Sequence, residues 1–121
     1  MRWIVIGVLV LVAIVVAWVL LHPSNVGDRT KLDREFSSDE QHRIDTVAIT
    51  AGELAEATCA DGAQCWVAVD RVVYDLGSVP TWQGGTHHGV SAGTDATEAF
   101  VRSGHGRQIL EHLPVVGRYQ P

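Results

Sequence analysis

Positive charge is in short supply. Nine Lys and Arg stand against fourteen Asp and Glu in 121 residues, giving a net charge of −5 at neutral pH. Such a chain has no field with which to gather phosphates, which argues against nucleic-acid binding. The length permits one small domain with additions and excludes a large enzyme built round a two-domain cleft. Ser91 and Ser103 lie near histidines in the chain, but neither sits in a nucleophile elbow. Gly84-Gly85 runs into Thr86-His87-His88, not into Lys and a helix start, so no phosphate-cradling loop is present. No catalytic constellation is visible, and the expectation is a carrier or binding module, not an enzyme.

Charge is missing altogether from Trp3 to Leu21, where 18 of 19 side chains are apolar and Gly7 is the exception. As a helix this run is roughly 28 Å long, close to the hydrocarbon thickness of a bilayer. Trp3 and Trp18 stand near its ends, where indoles favour the membrane interface. A cleaved signal would carry a shorter core and a small-x-small site. Here the run ends Trp18-Val19-Leu20-Leu21-His22-Pro23 without one. The expectation is an uncleaved transmembrane anchor over residues 1–21. Arg2 favours a cytoplasmic amino terminus, while Arg29, Lys31 and Arg34 on the other flank pull the opposite way.

Apolar side chains are then scarce from residue 22 to 46, where only Val26, Leu32, Phe36 and Ile44 appear among acidic, basic and small polar residues. Pro23-Ser24-Asn25 and Gly27 break the helix. The composition reads as a polar, mobile linker, with a short amphipathic turn near 30–44 as the alternative. From residue 47 to 121 the composition is that of a globular domain, with net charge −4. Val47-Ala48-Ile49 predicts a strand. Thr50-x-x-Glu53 has the form of a capping box that opens a short helix. Trp66–Val69 and Val72–Leu76 predict a hairpin about Asp70-Arg71. Gly77 to Gly85 is rich in turn residues. Asp95-x-x-Glu98 reads as a second capping box, for a helix to about Arg102. A further helix over Arg107–Leu113 stops at Pro114, and Val115-Val116-Gly117 is extended. The order is that of an α+β domain.

Of six histidines, His22 and His42 fall in the anchor flank and spacer, and His112 reads as an exposed helix residue. His87-His88 lies in a glycine-rich loop, Gly84 to Gly89, and His105 in a second loop between Gly104 and Gly106. Glycines let backbone approach a flat ligand closely. Two neutral imidazoles from separate loops can bind one metal from opposite sides, an arrangement that suits haem iron. Covalent haem attachment needs Cys-x-x-Cys-His, whereas Cys59 and Cys65 have five residues between them and are followed by Trp66. The simplest reading of that pair is a disulfide closing a small loop, with a structural zinc site as a remote alternative. A disulfide favours an extracytoplasmic domain, though a cytoplasmic one stays open.

Trp66-Val67-Ala68-Val69-Asp70, Val73-Tyr74-Asp75-Leu76, Trp82-x-Gly-Gly-Thr-His87, Ala92-Gly93-Thr94-Asp95-Ala96-Thr97-Glu98-Ala99-Phe100 and Gly104-His105-Gly106, taken together, resemble the cytochrome b5-like haem/steroid-binding family. The resemblance runs from about residue 47 to 119. It implies a short mixed sheet with helical hairpins framing one non-covalent haem b. It implies that His87 and His105 are the axial iron ligands, and that Trp82, Tyr74, Phe100 and Ile109 contact the cofactor. Two departures stand out. The first ligand loop is Gly84-Gly85-Thr86-His87-His88-Gly89 where familiar members carry His-Pro-Gly-Gly, so the chain looks more like compact prokaryotic members. His88 also stands where the related membrane-associated progesterone-receptor branch has a haem-binding Tyr, which leaves His88 as an alternative first ligand.

The function so implied is a membrane-anchored b-type cytochrome passing single electrons, with a basic-surfaced redox protein as partner. A reversible binder of haem or a sterol-like apolar ligand is the alternative, and a membrane adaptor with an empty domain is the third reading.

Overall fold

A computed structural model of the chain describes residues 1–22 and 24–121. Helix α1 (Arg2–Leu21) is uninterrupted, and none of it is buried. Its length and composition are shared by bilayer spans and signal sequences. Pro23, read above as a helix breaker, lies outside the described residues.

The expectation of a mobile linker is corrected: residues 24–46 fold onto the domain. A 3₁₀ turn at Arg29–Leu32 is capped by Asp28, whose carboxylate accepts from the Thr30 backbone at 2.9 Å. Helix α2 (Ser38–Thr46) begins with a reciprocal capping box between Ser37 and Glu40. Leu32, Phe36 and Ile44 pack against the main core, so three of the four apolar residues of this polar stretch dock it, while Val26 stays exposed. Arg34 and Lys31 turn inward. The Arg34 side chain is only 4% exposed and meets both Glu40 carboxylate oxygens at 3.0 Å. Composition classes such a segment with linkers because it cannot reveal that its cations have partners in the fold.

Strand β1 (Ala48–Thr50) leads directly into α3 (Ala51–Glu56), which the Thr50–Glu53 capping box opens as its spacing predicts. Strands β2 (Trp66–Val69) and β3 (Val72–Asp75) form the expected antiparallel hairpin. Both turn residues are left-handed, Asp70 at φ 47° and Arg71 at φ 66°, which is the type I′ pattern that matches strand twist. An Arg is uncommon there. The surroundings hold it: the Asp70 amide donates to Thr97 Oγ1 at 2.9 Å, and Arg71 carbonyl accepts from Tyr119 at 2.8 Å.

Within the glycine-rich loop a two-residue strand pair follows, β4 (Thr86–His87) and β5 (Val90–Ser91). Then come α4 (Thr97–Arg102), α5 (Gln108–Glu111) and β6 (Val115–Gln120). The main sheet has the order β1-β6-β3-β2, with β6 parallel to β1 and antiparallel to β3. The terminal strand thus enters the middle of the sheet. Gly117 makes this possible, because a Cβ there would lie 2.5 Å from the Val47 carbonyl oxygen. The second capping box is not formed. Asp95 instead accepts from the Thr97 amide at 3.0 Å, and Glu98 turns outward to Arg29 at 3.1 Å.

The sheet divides the core. One face carries Val67, Val69, Val72, Tyr74 and Leu76, which pack on Phe100, Leu110 and Val115. The other carries Ala68 and Val73, which pack on Ile49 and Leu54. Cys59 and Cys65 form a disulfide, so their sulfurs are not available to zinc. This bridge closes a loop with a sequence separation of 6 at the entry to β2. Its loop-closure entropy corresponds to roughly 2 kcal/mol. Reduction is expected to lower the unfolding free energy by about that amount, read from urea titrations with and without dithiothreitol.

Candidate functional site

The larger core face is not closed. Between the β4–β5 pair and the α4–α5 hairpin lies a cleft of about 650 Å³. That is within the range of small-molecule and cofactor sites. Its floor is Val67, Val69 and Leu76 from the sheet, and its sides include Val79, Phe100, Leu110 and Leu113. Ile109 stands in its wall while 43% exposed, an apolar side chain that the protein itself leaves uncovered.

Two imidazoles face each other across this cleft. His87 ends β4, and the turn behind it, His88 at φ 48° and Gly89 at φ 78°, reverses the chain at once. The turn is again type I′, and His and Gly are residues that tolerate its left-handed positions. Gly85 supports this loop from the other end. Its φ is +79°, and a Cβ there would stand 2.7 Å from the Thr58 carbonyl oxygen beside the disulfide. His105 stands between α4 and α5. The His87 and His105 ring centroids are 6.1 Å apart with planes 27° from parallel. That separation is about what two imidazoles need to share one ion, each through a bond of about 2 Å.

Burial lowers the His87 pKa, the neighbouring His88 and His105 charges lower it further, and a hydrogen bond to the Thr81 backbone acts in the opposite sense. The net shift favours the neutral ring, the form that ligates metals. Trp82 packs beside it, with centroids 5.2 Å apart. His88 lies edge-on to His87 at 4.4 Å and also lines the cleft, but it is His87 that opposes His105. Among the described residues no group of three or more His, Cys, Asp or Glu is arranged to hold a metal ion. Two imidazoles alone are half a coordination sphere for a tetrahedral ion or a third of an octahedral one. The donor set therefore fits a metal that arrives with its own equatorial ligands inside a flat apolar body, as haem does.

Of the expected cofactor contacts, His87, His105, Trp82, Phe100 and Ile109 line the cleft. Tyr74 does not, and that expectation is corrected. Its ring is 1% exposed within the core, 6.0 Å from the Arg34 guanidinium. The phenol is held above its usual range by burial. His112 is exposed and bonds back to the Gln108 carbonyl at 2.6 Å. His22 stacks on Trp18, at 5.0 Å, and stands apart from the cleft residues.

Sequence reasoning missed Lys31. It is 3% exposed, and its Nζ donates to the carbonyls of Asn25, Ser103 and His105 at 2.8, 2.9 and 3.0 Å. Burial lowers its pKa and the Asp28 charge opposes that. No local signal marks it, because two of its three partners are 72 and 74 residues away.

The cytochrome b5-like haem/steroid-binding domain model matches residues 50–120. A Hadesarchaea YNP_N21 cytochrome b5 domain protein of known structure is 37% identical, with TM-score 0.57 over 62% of this chain and 100% of that one. A Methanococcoides burtonii cytochrome b5 domain protein is 33% identical, also with TM-score 0.57, over 62% and 99% of the two chains. No curated protein matches significantly.

Proposed function

Because the chain belongs to the cytochrome b5-like haem/steroid-binding domain family, we propose that it is a membrane-anchored electron carrier that holds one haem b between His87 and His105. The observation that carries this reading is the pair of near-parallel imidazoles 6.1 Å apart across an apolar cleft. His87 is the first ligand and His88 its neighbour in the wall. Trp82 buttresses His87, while Phe100 and Ile109 cover the faces of a planar ligand. Bound there, haem supplies a one-electron iron couple. Held by both His87 and His105, such a group would supply electron transfer and not the transformation of a bound substrate.

Helix α1 is read as the anchor. The Cys59–Cys65 disulfide supports an extracytoplasmic domain, since such bonds persist in oxidising compartments. The partner is a redox protein whose basic surface meets a domain of net charge −4, with association that weakens in salt.

Haem titration of the full chain in detergent tests the reading. One equivalent is expected to give a low-spin six-coordinate spectrum, oxidised and reduced, with reversible one-electron cycling. A high-spin spectrum or absence of uptake would overturn it in favour of an apolar-ligand module.

A further inference from the structure

The loop that presents His105 is held from outside the residues the family model matches. Three consecutive carbonyls of that loop, those of Ser103, Gly104 and His105, each accept from the segment that follows α1. Lys31 serves Ser103 and His105, and Asn25 Nδ2 serves Gly104 at 3.3 Å. Two residues earlier in the hairpin, the Val101 carbonyl accepts from the Gly27 amide at 2.8 Å. In return Arg107 donates to the Thr30 carbonyl at 3.0 Å. Val101 lies in the last turn of α4 and Ser103 is its C-cap, so these two carbonyls stand where a helix end leaves acceptors without partners and its dipole favours a cation; those of Gly104 and His105 belong to the loop beyond it.

Lys31 is the only lysine in the chain. An ammonium has three donors and here meets three acceptors. It also lies 4.7 Å from the centroid of Phe100, which lines the cleft. The backbone of His105 is therefore fixed on both sides, its amide by Ser103 Oγ at 3.3 Å and its carbonyl by Lys31 at 3.0 Å.

We propose that Lys31 is a positioning residue for His105, through which the membrane-side segment 24–34 completes the haem site. It touches neither ligand ring nor cofactor. It sets the direction in which the loop aims the His105 imidazole, and its charge lies behind Phe100, where it favours the reduced iron. This deepens the proposed function and rests on it for the haem readouts only.

The test uses the full chain in detergent with Lys31→Met and Lys31→Arg. Met keeps length and removes every donor. Arg keeps the charge, but a planar fork does not match three converging carbonyls. In the haem-free protein, Lys31→Met is expected to speed amide exchange at residues 103–107 by about 10- to 100-fold while the β2–β3 amides change little. In the loaded protein it is expected to weaken haem binding by about 10- to 100-fold and to make the midpoint potential more negative. Lys31→Arg is expected to keep the potential and to lose haem affinity by a smaller factor.

Unchanged loop exchange and haem affinity in Lys31→Met would overturn the proposal. So would Lys31→Arg indistinguishable from wild type in both, since charge without geometry would then suffice. If Lys31→Met opens every amide equally, Lys31→Arg decides. If wild type takes up no haem, the proposed function fails, and the exchange comparison still decides whether Lys31 orders the His105 loop.

Discussion

Replacing His105 by alanine is expected to abolish the low-spin reduced spectrum of the haem-loaded chain, and His87→Ala is expected to do the same. Each change should weaken haem binding at least about 100-fold, since loss of a mere outer partner of a metal ligand already costs 10- to 100-fold. His88→Ala is expected to retain the spectrum. His88 sits at the left-handed turn position beyond β4, with its ring edge-on to His87, and only His87 faces His105 at 6.1 Å. Absorption spectra of the four proteins at one equivalent of haem check this. Loss of the spectrum in His88→Ala with retention in His87→Ala would move the first ligand by one residue.

Glu40→Gln is expected to destabilise the domain by about 2–4 kcal/mol, towards the lower part of the cost of breaking a buried pair because Glu40 keeps 23% exposure. The change strands the Arg34 guanidinium, which is 4% exposed and also donates to the Leu110 carbonyl at 3.0 Å. Arg34→Ala should cost a similar amount, because its stem and plane also pack on Phe36 at 4.4 Å. Equilibrium urea unfolding of the three proteins checks both. A loss below about 0.5 kcal/mol in each, the size of an ordinary surface substitution, would mean the pair does not hold the segment.

The same pair carries a pH dependence. Burial would raise the Glu40 carboxyl, but the Ser37 backbone bond and the Arg34 guanidinium outweigh it and hold its pKa below the ordinary 4.5. Its folded value is thus below its unfolded one. The stabilisation is complete above the ordinary value and is lost as pH falls through the depressed folded value. Glu40→Gln should therefore flatten the acid limb of the stability curve.

What was legible in the sequence was whatever is local. The capping box at Thr50 and the hairpin at 66–75 depend on neighbours within a few residues, and each appears where the spacing places it, whereas the helix expected over Arg107–Leu113 spans only Gln108–Glu111. The two histidine loops were visible through their glycines. His88-Gly89 could also have been read as the turn of a minimal hairpin, since it has the residues a type I′ turn accepts. Long-range facts were hidden. The insertion of β6 between β1 and β3 depends on a close approach at Gly117 to Val47. The inward turn of Lys31 and Arg34 depends on carbonyls more than 70 residues away. Tyr74 was misjudged for the same reason: strand alternation gives its face, but not the arginine that occupies the space beside it.

The short distance along the chain between α1 and the His105 loop has a further consequence. Asn25, whose side chain holds Gly104, is four positions beyond Leu21. Fully stretched, four residues reach about 14 Å. A free 25-residue leash would instead let the domain wander over a root-mean-square distance of roughly 25–30 Å. With α1 in a bilayer, the cleft is moored close to the lipid headgroups. A partner would then be met by lateral diffusion in the plane of the membrane, at a fixed height above the lipid.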